Sequence, residues 1–443
     1  MKFSIDSRDI QFVLFEQLRA HELSKTEKFA DYGEDEFRAI LDEAHKLSRE
    51  VLAPAAEQGE QEEARYEGGR AKVPPAYHQA YKQFASGGWL GLNQNPEYGG
   101  QGAPDVLRSG ASDYLFGANI SFCLGALLTT GAANLIERVG TDALKKTYVP
   151  KMLSGEWSGT MCLTEPGAGT DVGASLSKAT PDGDAFRIQS EKIFITNGDN
   201  DLTSNVIHCV LARIEGDAPG SKGLSLFLVP SVRVNDDGSL GEPNDVQCTK
   251  IEEKMGIHGS PTCAMSFGAN GGCHGYLLGE QGKGMKNMFI LMNEARIEVG
   301  QQGSALASAA YQLALTYAKE RTQCAHFSNA KDATAPRVPI IQHPDVMRNL
   351  LKQKSYTEAL RALIFFTSYC VDQVHTQTDA AEKTRYQDLM DFLTPICKGY
   401  GSEMGYRVTN WALDTFGGYG YLKEYGVERH LRDCKIASIY EGT

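Results

Sequence analysis

Thr164-Glu165-Pro166-Gly167-Ala168-Gly169-Thr170-Asp171 is followed closely by Lys192-Ile193-Phe194-Ile195-Thr196-Asn197-Gly198. Proline and two glycines within four positions predict a tight loop. Glycine has no Cβ, so backbone N–H groups there can reach the polar edge of a flat ligand or a phosphate oxygen. Thr164 and Thr170 flank the turn with hydroxyls. In the second run, strand alternation places Phe194 and Thr196 on one side. An aromatic face and a hydroxyl are thus offered together, an arrangement that suits a flavin.

Working outward, the 443 residues suggest about three domains. Apolar content of 42% and charged content of 23% fit a globular protein. A net charge of −12 argues against nucleic acid, which requires a basic footprint. Ten cysteines stand singly with no CxxC pair, which predicts reduced thiols, a cytoplasmic setting and no metal site. The first residues lack an apolar signal core. No run of about 18 apolar residues is evident, so no membrane span is expected.

Residues 1–160 read as an N-terminal helical domain, with Phe37, Ile40, Leu41, Ala44 and Leu47 at helical spacing. The acidic run Gly59-Glu60-Gln61-Glu62-Glu63 reads as a solvated loop or face. Residues 161–275 carry short apolar runs, Val206–Ala212 and Leu224–Val229 among them, bounded by turn residues. They predict a central small β-barrel or sandwich. Residues 276–443 return to helix. Met285–Glu320 lacks proline and predicts a helix of roughly 50 Å. Further helices at 344–377 and 383–415 complete a C-terminal four-helix bundle.

Other motifs stand in order along the chain: Gly88-Trp89-Leu90-Gly91, Pro96-Glu97-Tyr98-Gly99-Gly100, Lys254-Met255-Gly256, Leu278-Gly279-Glu280 and Glu320-Arg321-Thr322-Gln323. Phe416-Gly417-Gly418-Tyr419-Gly420-Tyr421, Arg432-Asp433-Cys434 and Ile439-Tyr440-Glu441-Gly442-Thr443 close the series. Together with the two opening runs, they resemble the acyl-CoA dehydrogenase family over nearly the whole chain. The resemblance implies FAD as cofactor and α,β-dehydrogenation of an acyl-CoA to the trans-2-enoyl-CoA, as in fatty-acid β-oxidation. The α-proton would leave to a base and the β-hydride to flavin N5. It implies Glu441 as that base and Arg296 as the residue that organises it, with Tyr440, Asn293 and Gly442 toward substrate. FAD would meet Thr164, Gly169, Thr170, Phe194 and Thr196. Arg321, Gln323, Gly417 and Gly418 would reach the FAD of a neighbouring subunit in a homodimer or homotetramer. An electron-transfer flavoprotein is the implied acceptor.

Some relatives carry the base just before the arginine, where this chain has Ala295. Glu294 is displaced by about 100° around a helix and is expected to face elsewhere. Asp414 replaces a glutamine that meets FAD, and a carboxylate near a pyrophosphate is unfavourable. His258 stands where a basic residue is usual. Gly300, Gly303 and Ser304 suggest room for a longer acyl tail. The insertion Ala325–Val338 resembles a longer subclass with a further C-terminal helical domain, which includes enzymes for straight-chain fatty acyl-CoA and methylthiopropanoyl-CoA. A segment after Thr443 is therefore expected. An acyl-CoA oxidase using oxygen, and a flavin-containing DNA-binding stress protein without turnover, are the competing readings.

Overall fold

The computed structural model describes residues 3–442. The principal helices are α1 (Glu34–Leu47), α2 (Asp105–Val139), α3 (Asp142–Leu153), α4 (Gly284–Glu320), α5 (Pro344–Thr376), α6 (Ala380–Phe416) and α7 (Val427–Lys435). Their starts are chemically marked. The Glu36 carboxylate accepts the Gly33 N–H at 3.0 Å ahead of α1, Asp379 accepts from Ala381 and Glu382 at 2.9 Å ahead of α6, and Pro344 opens α5. Phe37, Leu41 and Ala44 of α1 turn inward as their spacing predicts.

Strands β1 (Trp157–Cys162), β2 (Lys178–Asp182), β3 (Ala185–Thr196), β4 (Asn205–Ile214), β5 (Leu224–Pro230), β6 (Val246–Ile251), β7 (Thr262–Phe267) and β8 (His274–Leu277) form one sheet. Pairing runs β3–β8–β5–β4–β2 and returns from β2 to β3, so these five strands close into a small barrel. Closure removes the exposed edge that an open sheet presents. β7 and β6 extend from β3, and β1 lies parallel beside β4. The apolar runs of β4 and β5 are explained by burial on both faces. Val210, Ala212, Phe227 and Val229 enter one core, while Ile207, Cys209, Leu211, Leu226 and Leu228 enter another with Trp157, Ile136 and Leu291.

Two compact units result. One holds the chain up to Ala53, Ala103–Ile120 and everything from Arg296 onward; the other holds Pro54–Gly102 and Ser121–Ala295. In the first unit Arg361 is buried and bonds Asp113 Oδ2 at 2.6 Å, Ser308 Oγ at 2.9 Å and Asp9. This ties α5 to α2, α4 and the N-terminal segment. The buried Asp372 carboxylate accepts the first N–H groups of α2, from Asp105 at 2.7 Å and Val106 at 2.9 Å.

Several expectations change. α2 is long and apolar enough to cross a membrane, and 78% of its apolar window is buried inside the protein. Interspersed Gly, Ser, Thr and Asn hide that window in the sequence. Gly59 to Gln61 form the end of a helix, Ala53–Gln61, and Glu60 within it and Glu63 beyond it clasp His258 at 3.3 and 3.2 Å. The insertion after Gln323 is a hairpin, β9 (Thr322–Ala325) against β10 (Arg337–Pro339). Unchanged from expectation, all ten cysteines are free, and among them only Cys324 is exposed.

Candidate active site

The glycine-rich run leaves β1 and turns tightly. Glu165 and Ala168 exchange backbone hydrogen bonds of 3.2 and 3.1 Å around Pro166-Gly167. A Cβ at Gly167 or Gly169 would meet nothing within 4 Å, so the loop's outer side is open. Its inner side is fastened. The buried Glu165 carboxylate accepts from Lys192 Nζ at 2.7 Å, Leu176 N at 2.7 Å, Ser177 Oγ at 2.5 Å and the Ser175 hydroxyl. Lys192 also donates to Leu163 O at 3.1 Å, and Ile193 N to Thr164 O at 3.0 Å. Burial alone would raise the Glu165 carboxyl; the Lys192 ammonium and the serine hydroxyls outweigh it and hold it at about 2. The two runs are thus one bonded unit.

Phe194 and Thr196 do share a face, yet simple alternation is not the reason. Ile188, Ser190 and Lys192 are buried, so an unbroken strand would turn 194 and 196 inward. A bulge opposite Ala264 intervenes: Lys192 pairs Met265 and Ile195 pairs Cys263. Phe194 takes φ +59° within it and stands 60% exposed, while Ile195 becomes the buried residue. The bulge re-aims both side chains outward.

In the other unit, Arg321, Gln323, Asp414, Gly417 and Gly418 line one open cavity of about 470 Å³. Tyr317 and Phe416, stacked at 4.2 Å, support it, and the Arg321 guanidinium lies 5.1 Å from the Tyr419 ring. Gly417 has φ +60°, and a Cβ there or at Gly418 would meet nothing within 4 Å. Asp414 lines the cavity with its Oδ2 bonded by Asn410 Nδ2 at 3.1 Å.

Glu441 belongs to this same unit. Its φ is +60°, uncommon for a residue with a Cβ. Its Oε2 is buried with no hydrogen-bond partner. Burial raises the carboxyl, the cations Lys398 and Arg296 oppose that, and the balance lies at about 7. Arg296 Nη2 would stand 3.5 Å from a Cβ on Gly442. The Tyr440 hydroxyl donates to Gln302 Oε1 on α4, and burial pushes that phenol upward. An orphaned, half-ionised carboxylate is poised to accept a proton at neutral pH.

Three domain models match in order: acyl-CoA dehydrogenase N-terminal domain at 34–156, middle domain at 160–269 and C-terminal domain at 282–443. The butyryl-CoA dehydrogenase of Syntrophomonas wolfei is 40% identical over 98% of this chain and 73% of its own length. The chain belongs to the acyl-CoA dehydrogenase family. The 3-methylmercaptopropionyl-CoA dehydrogenase of Ruegeria pomeroyi is 39% identical over 100% of this chain and 74% of its own. The solved butyryl-CoA dehydrogenase of Megasphaera elsdenii aligns with TM-score 0.74 at 28% identity, covering 92% of this chain and 94% of that one. Like other acyl-CoA dehydrogenases, this is an FAD-dependent oxidoreductase acting on CH–CH donors. The residues present fit FAD: a glycine loop open on its outer side, an exposed ring at Phe194, and an arginine in the cavity that suits a pyrophosphate.

Among the expected substrate residues, Tyr440 and Gly442 lie beside Glu441, whereas Asn293 is an exposed residue of the other unit. Glu294 is engaged by Asn134 and by Arg138 at 3.6 Å, facing away as expected. Gly300 and Gly303 offer no room for a tail. A Cβ on Gly300 would come within 2.3 Å of Cys397 O, and one on Gly303 within 2.2 Å of Gly401 O. Their missing side chains admit the backbone of α6, and Ser304 is buried. Sequence reasoning missed Lys398, Gln302 and the Lys192–Glu165 pair. A signal for Lys398 existed: it falls within the buried stripe Thr394, Cys397, Gly401, Ser402 and Gly405 of α6.

Proposed function

We propose that the protein converts a short straight-chain acyl-CoA, carbon or thioether, to its trans-2-enoyl-CoA, with Glu441 removing the α-proton. The buried, unbonded Oε2 of Glu441 beside two cations carries this reading. Ionised, it accepts the proton; Arg296 and Lys398 offset the cost of its charge in a desolvated place. Bound FAD supplies the hydride acceptor, which no side chain can be. Thr164, Gly169, Thr170, Phe194 and Thr196 would hold its isoalloxazine side, and Arg321, Gln323, Gly417 and Gly418 the pyrophosphate and adenine side of a neighbouring subunit's FAD. That sharing makes the protein a homodimer or homotetramer. Tyr440, Gly442 and Asn293 are assigned to substrate. The segments 1–160, 161–275 and 276–443, an electron-transfer flavoprotein as acceptor and a cytoplasmic location complete the reading. Relatives acting on butyryl-CoA and 3-methylmercaptopropionyl-CoA support the short chain.

Anaerobic addition of butanoyl-, octanoyl-, palmitoyl- or methylthiopropanoyl-CoA to the purified holoenzyme tests it. The flavin band should bleach fastest with the butanoyl and methylthiopropanoyl thioesters, and stay unbleached in Glu441→Gln. Bleaching of the variant at the wild-type rate removes Glu441 from the base role. Rapid oxygen uptake with substrate would replace the flavoprotein acceptor by oxygen.

A further inference from the structure

Lys398 is 4% exposed on α6. Among the described residues its ammonium makes no hydrogen bond and no ion pair within 4 Å, and its Nζ is not one of the fully buried polar atoms left without a partner. The rest of the side chain is out of water, and that desolvation holds the ammonium below the usual lysine value. Cys397 beside it presses its carbonyl on Gly300 of α4, and Gly401 one turn on would place a Cβ 2.7 Å from Gly300 Cα. At this backbone-to-backbone crossing α4 supplies Arg296 and Gln302, and the segment after α7 supplies Tyr440 and Glu441.

The charges around Lys398 are few. The charges that act on it are those of Glu441 in the C-terminal segment, Arg296 of α4 and Glu403 of its own helix. Burial raises the Glu441 carboxyl, and Lys398 and then Arg296 oppose it. Tyr440, next to Glu441 in the chain, donates its hydroxyl to Gln302 of α4. Nothing in the packing explains a lysine here: a methionine of similar length would fill the same stripe without burying a charge.

We propose that Lys398 is a positioning residue for the dehydrogenation, acting through Glu441: its positive charge at this helix crossing favours the carboxylate form that accepts the α-proton, without touching substrate. This rests on the reading of Glu441 as the base. Burial drives a carboxyl toward its neutral form, which cannot accept a proton, and a nearby cation in a low-dielectric setting opposes it strongly. Arg296 alone supplies one such cation; Lys398 supplies the larger share. The protein accepts a local loss of stability for a working base.

The test compares wild-type, Lys398→Met, Lys398→Arg and Glu441→Gln holoenzymes. Flavin bleaching on mixing with butanoyl-CoA is followed anaerobically from pH 6 to 9.5, and thermal midpoints are measured alongside. In wild type the rate should rise through about pH 7. Lys398→Met should move that limb upward by about one pH unit, so that it is about tenfold slower at pH 6 and converges with wild type at high pH. Its melting temperature should be unchanged or higher. Lys398→Arg should restore the wild-type limb. A loss of rate equal at every pH, or a lowered melting temperature with an unmoved limb, overturns the proposal and makes Lys398 merely structural. If Glu441→Gln bleaches like wild type, the base assignment itself is wrong; if wild type bleaches with none of the four thioesters, both readings fall.

Discussion

Two glutamates in this molecule sit out of water beside a buried lysine, and they have opposite fates. Glu165 spends both oxygens on Lys192, two serine hydroxyls and a backbone N–H, and is held at about 2. Glu441 has a buried oxygen with no partner while Lys398 and Arg296 oppose the effect of burial, and it lies at about 7. Burial is common to both; hydrogen bonds separate them. A fully satisfied carboxylate is a strut, whereas a carboxylate given charge compensation without donors keeps its appetite for a proton.

The largest effect that would break this contrast is on chemistry. Glu441→Gln should slow flavin reduction by butanoyl-CoA by about 10²–10⁴-fold in single-turnover absorbance measurements, with FAD content unchanged. A comparable energy should appear at the other glutamate as stability instead. Lys192→Met, leaving Glu165 buried and uncompensated, should cost about 3–5 kcal/mol in urea unfolding, and adding Glu165→Gln should return part of it. If the single variant unfolds like wild type, Glu165 is no strut.

A pH series sharpens the same comparison. Glu165 has a folded-state value below its unfolded 4.5, so its contribution is present above 4.5 and is lost as pH falls toward 2. Glu441 is raised above 4.5, so its favourable contribution exists below 4.5 and is lost as pH rises through about 7. Glu441→Gln should therefore melt higher than wild type at pH 8.5 and no higher at pH 5; a gap independent of pH would contradict the assignment. The smallest effect concerns the helix crossing. Gly300→Ala should destabilise by about 1–3 kcal/mol through the clash with Cys397 O, with no shift in the ratio of butanoyl- to octanoyl-CoA rates. A changed ratio at unchanged stability would return Gly300 to the acyl cavity.

What could be read from sequence follows the same division. The loop at 164–171, the long helices and the terminal Glu441 motif are local patterns, carried by adjacent residues or a single helical period. The barrel announced itself through apolar runs on strands covered on both faces. What could not be read depends on a partner element. Gly300 looks the same in sequence whether a ligand or another helix fills its space. The bulge at Phe194 is defined by what stands across from it on β7. Lys398 is an ordinary lysine until its stripe is seen to be buried, and Glu165 an ordinary acid until the serines ten and twelve residues later return to it.

The left-handed backbone at Glu441 bears on how its reach can be measured. A side chain with a Cβ gives up about 1–2 kcal/mol to adopt that conformation, and aspartate tolerates it better than most. Glu441→Asp thus keeps the carboxylate and relaxes the main chain while withdrawing one methylene. Whatever rate is lost in that variant is the value of about an ångström of length, free of any conformational penalty.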